Sequence, residues 1–268
     1  AYSWTKAIAS GVLLFPAFAE LFGRIARDRI RDIALSSVAL LFMALTAGLL
    51  VWDLEYKSRF LRVVFTPQKK SRLARGAFIL IGYSALAGLY WIGAVLGVAK
   101  ATALLLWPTL LAGILAAVYT AFLFGQCEGR DLWQTPLLAV HLIVQAFLCG
   151  AAVLALLPDK LGGSADSLAL SRIGLICGLV GHLVIVATEF SVPHPTDNAA
   201  YAARLITHGP FKPMFWFGSV VVGGVVPVLV LVSMNGYLAT AAASIFALGG
   251  LLAFEWCFVM AGQSVPNS

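Results

Sequence analysis

Long apolar runs broken by short polar connections dominate the chain, and their lengths decide its architecture. A membrane-crossing helix needs about 20 largely apolar residues. Eight stretches reach that length: approximately Ser3–Phe22, Ile33–Trp52, Gly76–Val98, Thr102–Gln126, Trp133–Leu157, Leu168–Phe190, Met214–Met234 and Tyr237–Ala261. Each is continuously apolar and rich in Leu, Ala and Gly, whereas a membrane β-barrel would show short alternating segments. The pattern therefore predicts an all-α membrane protein of about eight transmembrane helices. Small residues at near-helical spacing (Gly82, Ala85 and Gly93; Gly174, Gly178 and Gly181) predict close helix packing.

Eight crossings put the connections on two faces. Face P carries the start of the first helix, the Trp52–Gly76 loop, the Cys127–Leu132 loop, the Ser191–Pro213 loop and the C-terminus. Face D carries the GRIARDRIRD turn, Lys100 with Ala101, the Pro158–Ser167 loop and the Asn235-Gly236 turn. The longest polar connection of the first half, WDLEYKSRFLRVVFTPQKKSRLARG, opens on Asp53 and then gathers Lys57, Arg59, Arg62, Lys69, Lys70 and Arg72. A loop so charged between two spans lies at a bilayer surface, where it attracts lipid headgroups, an acidic partner or an anionic or quinone-like ligand. Basic residues are plentiful on both faces, so charge counting leaves the in/out orientation open.

Composition agrees with the pattern. Of 268 residues, 61% are hydrophobic and only 11% charged, where a soluble domain carries about 25% charge. The net charge of +6 is concentrated in loops, which suits membrane electrostatics and argues against nucleic acid as a partner. The four cysteines, Cys127, Cys149, Cys177 and Cys257, form no C-x-x-C, so no iron-sulfur or zinc motif is expected in this chain. The sequence opens on Ala1 almost directly before an apolar run, and further residues are expected upstream.

Ionisable groups inside spans are costly and are default candidates for a site. Most collect toward face P: Lys6 near the start of the first helix, Asp53 at the end of the second, Tyr119 about two turns inside the fourth, Glu189 at the end of the sixth and Glu255 about two turns inside the eighth. For Lys6 and Asp53 the structural alternative is snorkelling to the interface. Glu255 must find a partner or stay protonated. His141 and His182 are expected at a similar depth on neighbouring antiparallel helices, either as core histidines or proton-relay members, or as axial ligands of one haem b. A weak internal repeat aligns Gly113–Gln126 with Gly250–Gln263 and suggests two four-helix bundles, residues 1–132 and 133–268.

The opening YSWTKAIASG, the Asp53-Leu54 step followed by Arg59-Phe60, Ser71 and Gly76 at the third helix, EGRDLW (128–133) and the closing AGQSVP (261–266) together resemble the NrfD-type, or polysulfide-reductase-type, membrane subunit of respiratory molybdopterin and iron-sulfur oxidoreductases. The likeness spans nearly the whole chain. Where the family often has proline after Asp-Leu, this chain has Glu55-Tyr56-Lys57-Ser58. The resemblance implies an integral protein of a prokaryotic-type inner membrane that binds no haem or iron-sulfur cluster and is not catalytic alone. It would dock an iron-sulfur subunit on face P, with a molybdopterin or cytochrome subunit beyond, and exchange electrons with membrane quinone. Quinone chemistry moves two electrons and two protons, so donors to the ring oxygens and proton carriers are needed. Lys6, Tyr119, Gln263 and Arg59 are the expected quinone contacts, and Asp53, Glu255 and Tyr119 the expected proton-handling residues, with the basic loop docking the partner. The alternatives are a secondary transporter, suggested by the repeat and the intramembrane acids, and a haem b-bearing membrane anchor.

Overall fold

A computed structural model describes residues 2–53, 72–127 and 129–265. Its helices are α1 (Tyr2–Leu21), α2 (Arg29–Trp52), α3 (Arg72–Val95), α4 (Ala99–Phe124), α5 (Leu137–Leu156), α6 (Ala165–Ser191), α7 (Asp197–Thr207), α8 (Met214–Ser233) and α9 (Tyr237–Ser264). Seven are long and apolar enough to cross a membrane. With α1, 20 residues long and mostly buried, they make the expected set of about eight spans in an all-α protein.

Capping explains where the observed ends depart from the apolar runs. Helix α2 begins at Arg29, ahead of its apolar stretch, because the Asp28 carboxylate accepts from the Arg31 N–H at 2.7 Å. Ser164 and Ser167 form a reciprocal capping box that starts α6 early. Helix α5 starts later than expected, since Asp131–Gln134 winds as a 3-10 turn and Pro136 precedes the first helical residue. Helix α7 was not foreseen. It is an 11-residue surface helix capped by Thr196 that buries Ala199, Ala202, Ala203 and Ile206 on one stripe, and is far too short to span.

Helix α1 is the hub, packing on α2, α4 and most extensively on α5. Two glycines make the α1–α5 crossing possible. A Cβ on Gly11 would overlap the Ala146 carbonyl, and one on Gly150 would overlap the Gly11 carbonyl and reach within 2.7 Å of the Phe15 Cβ. Helix α9 packs on α8, α5 and α6, and its Gly250 lies directly against Gly223. The first half of α8, Met214–Val225, is π-wound. Of the small residues singled out in the sequence, Gly174, Gly178 and Gly181 meet Phe15, Leu148 and Val144, and Gly93 meets Thr102. Among the described residues nothing lies within 4 Å of a Cβ placed at Gly82.

Candidate functional site

Near the face-P ends of α1, α4 and α9 the structure gathers a buried polar cluster. Lys6 sits in the second turn of α1 and is completely buried. Its Nζ donates to the Ala117 carbonyl at 2.8 Å and to the Thr120 hydroxyl, and lies 4.8 Å from the centre of the Tyr119 ring. An ammonium has three N–H donors, and among the described residues these two acceptors leave one without a partner. The Tyr119 ring packs where Gly76 of α3 has no side chain: a Cβ there would lie within 2.6 Å of the ring Cδ2. Glu255, 5% exposed, completes the cluster from α9. Among the described residues its oxygens make no hydrogen bond of full geometry; the Ser3 hydroxyl and the Trp4 N–H are the donors in reach, and Lys6 is a charged neighbour. A buried carboxylate and ammonium facing one another without a direct pair can accept and release a proton or bind a polar ligand.

Lys6, Tyr119 and Glu255 are thus brought together; of the other expected residues, Asp53 and Gln263 lie apart from them. Asp53 is exposed at the end of α2, where its N–H caps the Leu49 carbonyl at 3.0 Å. Tyr2 has Tyr119, Glu255 and Asp53 among its electrostatic neighbours. The Gln263 side chain is exposed beyond the cluster, on the face-P end of α9. Arg59, Ser71 and most of the basic loop lie outside the described residues. Sequence reading missed Ser3 and Thr120, neutral residues whose role depends on which helices meet. It also missed Arg130, whose Nη1 donates to the carbonyls of Gly262 (2.9 Å), Gln263 (3.0 Å) and Val265. The EGRDLW string was the available signal for Arg130.

The model of the family described as polysulphide reductase, NrfD, matches residues 2–267, almost the whole chain. The chain belongs to the NrfD family. It is accordingly an integral inner-membrane subunit of respiratory oxidoreductases, a class that displaces the transporter reading. Comparison with curated proteins returns no match.

In this NrfD protein the two intramembrane histidines touch each other. His141 Nε2 and His182 Nδ1 are 2.7 Å apart, and Phe254 packs on both rings at centroid distances of 4.9 and 5.1 Å. Two imidazoles sharing one metal, each at a bond length of about 2 Å, would hold their nitrogens about 4 Å apart. The expected common depth is present, but the direct contact leaves no gap for a macrocycle, and the haem b alternative loses its geometric basis. Among the described residues no three His, Cys, Asp or Glu side chains converge as metal ligands.

Proposed function

We propose that this NrfD subunit is the quinone-reactive element of its complex, passing electrons between the membrane quinone pool and an iron-sulfur subunit docked on face P. The observation that carries the reading is the buried Lys6–Tyr119–Glu255 cluster, in which one ammonium N–H meets no acceptor among the described residues and the carboxylate has only the Ser3 hydroxyl and the Trp4 N–H as donors in reach. A ring oxygen of the substrate accepts from Lys6 and lies against Tyr119. Glu255 exchanges the accompanying proton, and Asp53 at the exposed end of α2 hands it to water on face P. Gln263, and Arg59 in the basic loop, act at the mouth of the site. A molybdopterin or cytochrome subunit completes the chain of electron carriers beyond the iron-sulfur protein.

We further infer that residues 1–132 and 133–268 act as two four-helix bundles. Helices α1 to α4 pack among themselves, as do α5, α6, α8 and α9, and the α1–α5 crossing is the main seam between the sets.

The test is isolation of the complex from native membranes, followed by crosslinking with a photoreactive quinone and peptide mapping. Label on the face-P ends of α1, α4 or α9, together with an iron-sulfur companion, is expected. Label confined to other helices, or a stable single chain without that companion, would overturn the reading.

A further inference from the structure

The opposite end of the first four helices holds a second polar site. Glu20, near the end of α1, is bound by two guanidinium groups: Arg27 Nε meets its Oε2 at 3.2 Å and Arg31 Nη2 its Oε1 at 3.2 Å. Each Glu20 oxygen thus meets one arginine and keeps a second lone pair. Asp32, in the first turn of α2, is 5% exposed and forms no ion pair among the described residues. The groups facing it are the Tyr90 hydroxyl from α3, within hydrogen-bonding range, and the charges of Glu20, Arg27 and Arg31.

Asp32 stands between two spaces. On its inner side is a cavity of about 20 Å³ lined by Glu20, Asp32, Tyr90, Thr109 and Pro16 among apolar side chains. That is room for one water molecule, which needs about 10–15 Å³ and two to four polar partners. The Thr109 hydroxyl, 3% exposed, meets no hydrogen-bond partner and lines this cavity. Pro16 has no N–H, so the Val12 carbonyl lacks its usual helical donor. On the outer side is a pocket of about 360 Å³ on face D, lined by Arg27, Arg29, Asp32 and Thr102 with the α3–α4 turn. Asp32 is the residue these two spaces share.

We propose that Asp32 is a proton-loading site on face D, exchanging a proton between water in the outer pocket and a single water held by Tyr90, Thr109 and Glu20 in the inner cavity. In loading, a hydronium ion in the outer pocket gives its proton to the Asp32 carboxylate and leaves as water. In unloading, the carboxyl passes that proton to the inner water, which becomes hydronium beside the Glu20 carboxylate, and the Asp32 carboxylate is restored. Each Glu20 oxygen carries an arginine ion pair while Asp32 carries none among the described residues, so the exchangeable proton is assigned to Asp32. This site stands independently of the quinone reading, because neither step requires substrate.

The test is time-resolved infrared spectroscopy of the intact complex in membrane vesicles after a pH step, following the protonated-carboxyl band. One such signal should vanish in Asp32→Asn and persist in Asp159→Asn, an exposed acid on the same face. Thr109→Val and Tyr90→Phe conserve volume while removing one partner of the inner water, and should slow the band's decay after the reverse pH step roughly fivefold, the worth of one hydrogen bond. These two variants also decide the matter if Asp32→Asn fails to assemble. A carboxyl signal that survives in Asp32→Asn, or decays at the wild-type rate in both conservative variants, overturns the proposal.

Discussion

Replacing Lys6 by methionine is the most direct probe of the face-P cluster, because the two side chains are similar in length and the change removes only the charge and its donors. The variant loses the hydrogen bonds to Ala117 and Thr120. It also loses the cost of holding an ammonium at 0% exposure. Burial of an unpaired ion costs several kcal/mol and each charged hydrogen bond returns roughly 1.5–3 kcal/mol, so the net effect on folding should stay within about 2 kcal/mol. Turnover should suffer far more. Loss of one charged donor to the substrate oxygen, roughly 1.5–3 kcal/mol, corresponds to about a 10- to 150-fold fall in rate. The assay is quinol turnover per assembled complex, with assembly quantified separately. The double variant with Glu255→Gln adds a second criterion. If the two charges act as a unit, their effects are non-additive by at least about 1 kcal/mol. Turnover within twofold of wild type, together with simple additivity in the double variant, would refute the assignment of Lys6.

Asp53→Asn should leave assembly intact and lower quinol turnover about tenfold, roughly 1.4 kcal/mol on the limiting step; a fall in assembly that matches the fall in activity would instead make Asp53 a loop anchor. Gly150→Ala should force α1 and α5 apart against the Gly11 carbonyl, costing about 1–3 kcal/mol by overpacking. Its signature is a lower melting temperature of the complex with unchanged turnover per assembled complex, and an unaltered melting temperature would contradict the crossing.

The spans were legible because the bilayer imposes one length and one polarity on every crossing helix. Helix α7 escaped notice for the same reason: its 11 residues answer to a local amphipathic stripe and a threonine cap, which hydropathy over a membrane length averages away. Lys6, Tyr119 and Glu255 were conspicuous as polar groups in apolar runs, and they do converge. Their partners were not readable, since Thr120 and Ser3 acquire meaning only through the rotation of α1 against α4 and α9. The glycines make the same point, for Gly82 and Gly150 sit in similar sequence yet one faces open space and the other a helix backbone. The internal repeat carries no site equivalence: it pairs buried Tyr119 with Trp256, which is 48% exposed. Asp32 went unremarked because it stands in a stretch dense with charge, where nothing in the local string separates a solvated acid from one enclosed between two cavities.

Arg130 ties the end of α9 to the connection between α4 and α5, and one guanidinium nitrogen serves three carbonyls of that end. Those peptide groups cannot shift independently of the loop. The C-terminal lip of α9 and the α4–α5 connection therefore form one stiff shelf across face P, and a load applied to the loop is transmitted to the helix that carries Glu255. A subunit seated on that shelf would press, through Arg130 and Trp133, on the position of a carboxylate about two helical turns below it.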